Sequence, residues 1–237
     1  MIVAVIPARG GSKRIPRKNV KPFCGKPILG WTIEAARASG IFDTVVVSTD
    51  DEEIAAVARE FGAEAPFRRP VELADDFAPT LPVVGHAVGW LAEHRGPVRL
   101  ACCIYATAPF LQPQYLREGL RLLEANAEAD FAFSVTSYAF PIFRALKRNA
   151  DGMVGMFWPE NELVRSQDLP QAWHDAGQFY WGRAAAFQRH RGIFSARSLP
   201  VVRPRRLVQD VDTEEDWAAA EALFAQMQRC ETDNTSS

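Results

Sequence analysis

Between Ile2 and Thr136 the sequence alternates short apolar runs with longer stretches of helical spacing, and this alternation restricts the fold more than any other feature. The short runs at residues 2–6, 44–48, 98–105 and 131–136 are apolar or β-branched enough to be buried on both faces. Between them, residues 28–39, 51–61, 81–94 and 113–126 read as helices. Leu29, Ile33 and Ala36 share one face ahead of Gly40; Ile54, Val57, Ala58 and Phe61 follow an acidic first turn and precede Gly62. Strands separated by helices of this length form βαβ units. The expected fold is therefore α/β, a mainly parallel sheet with helices on both faces and a ligand site beyond the carboxyl ends of its strands.

The alternation breaks between Tyr138 and Pro170. Two apolar pieces, 142–146 and 153–157, flank Asn149-Ala150-Asp151-Gly152, which signals a hairpin rather than a crossover. We expect a small antiparallel insertion lobe over 138–170. Its Phe140, Phe143, Phe157 and Trp158 form either an association surface or the core of a hairpin folded on itself. Parallel alternation is expected to resume at 176–181, followed by an Arg-rich strand ending near Asp210 and a helix from Thr213 to about Gln228. Residues 1–137 and 171–230 then make the main domain, and 231–237 a frayed polar tail.

The first strand runs into PARGGSKRIPRKN, residues 7–19, with Ala8, Arg9, Gly10, Gly11, Ser12, Lys13, Lys18 and Asn19 among its residues. Arg9, Lys13, Arg14, Arg17 and Lys18 would repel one another unless a polyanion neutralised them. Gly10 and Gly11, lacking Cβ, let backbone N–H groups approach phosphate oxygens and admit positive φ. Arg engages two oxygens at once, and Lys acts as a point charge. Neither a Walker loop nor a dinucleotide fingerprint is present. The loop reads as a triphosphate site.

Composition narrows the partners. The formal net charge of −2 and the lack of a long basic run give no footprint for nucleic acid or an anionic membrane. No apolar stretch is long enough for a bilayer span, and the first residues do not read as a signal peptide, so a cytoplasmic location is expected. Cys24, Cys102, Cys103 and Cys230 show neither metal-ligand nor disulfide-scaffold spacing and read as thiols, mostly buried.

IPARGGSKRIPRKN resembles the N-terminal signature of the cytidylyltransferases that make CMP-sialic acids. Other segments follow in the family's order. Ser48-Thr49-Asp50 resembles its VSTDD segment, although the residues alone describe a helix N-cap. Arg68-Arg69-Pro70-Val71-Glu72-Leu73-Ala74-Asp75-Asp76 resembles its R-P-x-E-L-A-x-D loop, whose arginine (here Arg69), with the segment ending at Thr80, faces cytosine. Tyr105-Ala106-Thr107-Ala108-Pro109-Phe110 resembles its Q-P-T-S-P-L stretch, with Tyr105 where the sialic-acid branch has glutamine. The run from Ser166 to Trp181 resembles the SQDLP…HDAGQFYW signature of pseudaminic acid cytidylyltransferases; the sialic-acid branch has Asn in place of Asp175. Physically, Gln167, His174, Asp175, Gln178 and Tyr180 suit hydrogen bonding and stacking on an acylated polyhydroxy sugar.

Gln209-Asp210-Val211-Asp212-Thr213-Glu214-Glu215-Asp216 matches the family's metal motif. In an extended segment Asp210 and Asp212 face one side, and two carboxylates beside a triphosphate suit Mg²⁺. Glu214, Glu215 and Asp216 are also an ordinary acidic helix start. The resemblance implies a Rossmann-like nucleotidyltransferase sheet, CTP and an acidic nine-carbon sugar as substrates, Mg²⁺ as cofactor and a homodimer sharing the insertion lobe. Arg9, Lys13 and Asp212 would be catalytic, and Tyr105, Gln167, His174, Asp175, Gln178 and Tyr180 would hold the sugar. Arg144, Lys147, Arg165 or Arg183 would pair with its carboxylate. The acceptor narrows to pseudaminic acid, with N-acylneuraminic or legionaminic acid as alternatives; a glycosyltransferase or a non-catalytic CTP-binding module are the other classes.

Overall fold

A computed structural model describes residues 1–75 and 78–235, with no side-chain description from residue 230 onward. The strands are β1 (Ile2–Pro7), β2 (Pro22–Phe23), β3 (Lys26–Pro27), β4 (Thr44–Ser48), β5 (Leu100–Ile104), β6 (Phe131–Ser137), β7 (Leu146–Arg148), β8 (Val154–Met156), β9 (Trp173–Arg183) and β10 (Ser198–Val202). The helices are α1 (Ile28–Ala38), α2 (Glu52–Glu60), α3 (Thr80–Arg95), α4 (Pro113–Ala125), α5 (Ala184–Gln188) and α6 (Glu214–Thr235). Six strands form one sheet in the order β10-β6-β9-β5-β1-β4. The expected α/β sheet with helices is present and largely parallel, with one correction: β9, expected to resume the parallel run, is antiparallel to both β5 and β6.

Burial on both faces explains the continuous apolar strands. Ala4 and Ile6 of β1 pack with Leu29, Ile33, Ile54 and Leu116 from α1, α2 and α4. Val3 and Val5 pack on the other side with Val84 and Leu91 of α3 and Phe187 of α5. Side chains alternate along each strand, so one β1 sequence supplies both cores.

A third, smaller core sits at the sheet's carboxyl edge, where Ile15, Phe23 and Ile28 meet Phe110, Val211, Trp217 and Phe224. Each such side chain contributes about 1.5–3 kcal/mol by leaving water. This cluster joins the N-terminal loop to the segment before α6.

The insertion contains the expected hairpin, with β7 paired antiparallel to β8 and the turn at Asn149–Gly152 closed by backbone and Asn149 hydrogen bonds. Phe140, Phe157 and Trp158 are exposed, whereas Phe143 is half-buried against Trp158. Two further readings change. β10 ends at Val202, and a single 3-10 turn followed by irregular backbone, not a strand, leads to Asp210. Helix α6 continues to Thr235, past the expected end near Gln228, so 231–235 are helical rather than a frayed tail; residues 236–237, the side chain of Cys230 and the Asp76 of the RPVELADD loop lie outside the described residues. Among the described residues no helix is long and apolar enough to cross a membrane.

Candidate active site

The carboxyl ends of β1, β4, β5 and β6 and the amino end of β9 meet at one sheet edge, because Pro7 pairs with Ser48, Val5 with Cys103 and Ser137 with Trp173. The loop after β1 is built tightly against β4. Ala8 N donates to Ser48 O (2.9 Å), and Gly10 N donates to Asp50 Oδ1 (3.0 Å). Asp50 is therefore not the helix cap. Asp51 caps α2, accepting from Glu53 N and Ile54 N at 2.8 and 3.2 Å.

Neither Gly10 nor Gly11 adopts the positive φ that the sequence invites. Gly10 is needed for close approach, since a Cβ there would lie 2.6 Å from Asp51 Oδ2. Gly10→Ala is expected to cost about 1–3 kcal/mol by crowding the cap. Urea denaturation checks this; an unchanged midpoint would refute the packing argument.

The loop's cations divide into two groups. Arg9, Ser12, Lys13, Arg14, Lys18 and Asn19 line a cavity of about 480 Å³. Arg17, held at φ 55°, turns away and pairs with Glu53. Asn19 fixes the loop's shape, as its Nδ2 donates to Arg9 O (2.9 Å) and its own carbonyl accepts from Leu29 N (3.2 Å). Ala8 is buried beneath the loop.

Opposite these cations stands the segment before α6. Val211 is buried in the third core, while its neighbours Asp210 and Asp212 are exposed and half-buried. Asp216 closes the turn by accepting from Asp212 N, Thr213 N and Thr213 Oγ1, and Thr213 Oγ1 accepts from Asp216 N. Arg14 Nη1 and Lys18 Nζ lie 2.7 and 3.3 Å from the Asp212 carboxylate.

A second cavity of about 620 Å³ is lined by His174, Asp175, Tyr180 and Asp210 together with Lys18, Tyr105, Thr107 and Asp212, the last four shared with the first cavity. Asp175 is held on both oxygens: Tyr180 Oη donates to Oδ2 (2.5 Å) and Gly177 N to Oδ1 (2.9 Å). Tyr105 Oη lies 3.2 Å from Thr80 Oγ1, and its ring packs against that of Tyr180 with centroids 5.3 Å apart, so Thr80 joins the site through Tyr105. Burial pushes both phenols above their ordinary range, which keeps them protonated donors.

Several expected site residues lie elsewhere. Gln178 is buried, with Nε2 donating to Leu207 O (2.6 Å). It braces the chain leading to Asp210 and does not line either cavity. Gln167 is exposed in the lobe and likewise lines neither. Arg69 is buried and donates to Ser48 Oγ (3.1 Å), Ser48 O and Leu73 O. Burial lowers its pKa to about 10, so it remains a cation at neutral pH.

Among the expected carboxylate partners, Arg183 pairs with Leu100 at the opposite end of the sheet and donates to Ala129 O, which removes it from the site. Arg144 donates to the carbonyls of Glu162 and Val164, Arg165 pairs with Asp168, and Lys147 sits over Phe157. Asp50 and Thr107 belong to matched segments of the sequence that gave neither of them a site role. Asp50 hides behind a cap-like string, and Thr107 lies in the turn after β5, inside the stretch matched from Tyr105 to Phe110.

Cys102 and Cys103 are fully buried in β5, and burial raises both thiols, so neither is a poised nucleophile. Among the described residues no group of three or more His, Cys, Asp or Glu is placed to hold a metal ion. Asp210 and Asp212 alone fit a hard cation whose other positions come from phosphate and water, as Mg²⁺ accepts.

Comparison with known proteins gives this geometry a context. Residues 3–234 match the family model described as cytidylyltransferase. The chain is 45% identical over 222 residues to the pseudaminic acid cytidylyltransferase of Campylobacter jejuni, covering 94% of this chain and 95% of that one. It is 33% identical to N-acylneuraminate cytidylyltransferase A of Danio rerio, covering 93% of this chain and 50% of that one. Its fold resembles that of a CMP:2-keto-3-deoxy-manno-octonic acid synthetase solved with CTP, with a TM-score of 0.69 at 19% identity over 95% of this chain and 99% of the other.

Proposed function

We propose, because the chain belongs to the cytidylyltransferase family, that it transfers CMP from CTP to the anomeric hydroxyl of pseudaminic acid and releases pyrophosphate. One observation carries the reading: a cation-lined cavity and a sugar-sized polar cavity meet at Lys18, Thr107 and Asp212. A triphosphate in the first and an acceptor in the second bring the α-phosphate and the attacking oxygen together, and such proximity is a large part of phosphoryl-transfer catalysis.

Arg9 and Lys13 hold the β- and γ-phosphates and stabilise the departing pyrophosphate. Ser12, Lys18 and the backbone of Ala8, Gly10 and Gly11 complete the phosphate cradle, with Asn19 holding its shape. Arg69 and Thr80 form the base side, Arg69 by keeping the loop after β4 in place. Tyr105, His174, Asp175 and Tyr180 face the acceptor; Gln167 joins them only if the lobe or a second copy carries it there. Asp210 and Asp212 would hold Mg²⁺, which would supply neutralisation of phosphate charge. The exposed Phe140, Phe157 and Trp158 support a homodimer through the lobe, and a cytoplasmic location goes with this reading.

Incubating the protein with CTP, ATP, GTP or UTP and with pseudaminic, N-acylneuraminic or legionaminic acid tests this reading. CTP with pseudaminic acid is expected to give CMP-sugar and pyrophosphate at least about tenfold faster than any other pair. Equal use of all the nucleotides, or preference for N-acylneuraminic acid, would reject it. Asp175→Asn is expected to raise the acceptor KM about tenfold, because it exchanges a pure acceptor for a group that also donates. Initial rates at varied acceptor concentration read the effect.

A further inference from the structure

We infer that His174 is the general base that takes the proton from the attacking anomeric hydroxyl. The inference rests on the proposed transfer of CMP and assigns a role that transfer requires. His174 sits at the amino end of β9, where its backbone pairs with Thr136, and its ring lies 5.0 Å from that of Tyr138. Its Nδ1 is 2.9 Å from the Asp175 carbonyl oxygen. A carbonyl only accepts, so Nδ1 carries the hydrogen and Nε2 keeps the lone pair. The fixed tautomer therefore presents a proton acceptor on a residue that lines the acceptor cavity with Asp210 and Asp212.

The other titratable groups of that cavity have different work. Both oxygens of Asp175 accept hydrogen bonds from within the protein. Asp212 is paired with Arg14 and Lys18 here and, like Asp210, is assigned to the metal in the proposed reaction. Tyr105 and Tyr180 are protonated, and Lys18 is a cation without a lone pair. Asp210 accepts from Val211 N and is assigned to the metal.

In the step itself, Nε2 takes the hydroxyl proton as the sugar oxygen forms its bond to the α-phosphorus. The bond from that phosphorus to the bridging oxygen breaks, its electron pair leaves with pyrophosphate, and the imidazolium returns its proton to water.

The experiment compares wild type, His174→Gln and His174→Ala with CTP and pseudaminic acid, after circular dichroism has verified that each is folded. The expected result for H174Q is a kcat about 10²–10³-fold lower, with the acceptor KM and the calorimetric CTP affinity within about twofold. H174A should recover activity in added imidazole, in proportion to the free base. A kcat within about threefold of wild type, or a loss confined to acceptor KM with no imidazole rescue, overturns the assignment and leaves His174 as a sugar contact. Failure of wild type itself to form any CMP-sugar rejects the transfer reading, and the inference falls with it.

Discussion

Replacing Asp212 with alanine is expected to lower CMP transfer by about 10³-fold or more while leaving the fold intact. Asp212 stands where the two cavities join, and its carboxylate has two tasks. It neutralises Arg14 and Lys18, which would otherwise be two unpaired cations in the lining of the first cavity. With CTP present, the phosphates would take over those cations, and the freed carboxylate would be available to hold Mg²⁺ beside Asp210. The protein should therefore bind Mn²⁺, a probe for Mg²⁺, weakly alone and much more tightly with CTP; D212A should lose that gain.

Stability should fall only modestly in this variant: the pair with Arg14 is largely exposed and screened by water, and the more buried Lys18 loses a partner 3.3 Å away. Steady-state rates in excess Mg²⁺, electron paramagnetic resonance of Mn²⁺ with and without CTP, and a melting curve make the test. Full activity of D212A in excess Mg²⁺ would remove Asp212 from the metal site.

The two halves of that junction differ in how much the sequence discloses. Five cations within residues 9–18 call for anions, and that demand is a local property readable in the string; which anions answer it is not, since Arg17 pairs with Glu53 and Arg14 and Lys18 with Asp212. The Asp210/Asp212 pair is also legible, but for a reason other than the strand expected there. Val211 is pulled into the small core with Ile15 and Trp217, and its neighbours Asp210 and Asp212 are left exposed and half-buried without sheet pairing.

Long-range facts were hidden. The direction of β9 depends on how the chain returns from the insertion, which apolar periodicity does not encode. A buried antiparallel strand has the same composition as a buried parallel one. Gln178 shows the same limit: in a run rich in polar and aromatic residues it looks like a ligand, yet its contact is Leu207 O, 29 residues away. Asp50 and Asp51 are adjacent and chemically identical, and only the chain's path assigns one to Gly10 and the other to the helix cap.

Strand β9 also carries the largest expected stability effect. Trp181 is fully buried next to Tyr180, on the opposite face of the strand from the acceptor cavity; it stacks on Phe42 at 5.2 Å, and its Nε1 donates to Leu116 O at 3.0 Å. Trp181→Ala is expected to cost about 3–5 kcal/mol through lost transfer energy and the cavity left behind. That is a large share of the roughly 5–15 kcal/mol typical of a native fold, and it corresponds to a melting temperature lower by roughly 6–20 °C.

Gly119 of α4 makes the argument specific, because a Cβ there would lie 2.5 Å from Trp181 Cδ1. Gly119→Ala alone should therefore cost about 1–3 kcal/mol by overpacking, despite alanine's better helix propensity. In the Trp181→Ala background the indole clash is gone; a tight approach of 3.2 Å to Phe179 Cε2 remains and opposes the gain in propensity, so the same change should cost much less, within about 1 kcal/mol of neutral. Urea unfolding of the two single variants and the double variant closes the cycle. Additive losses would mean that Gly119 is needed for something other than room for the indole.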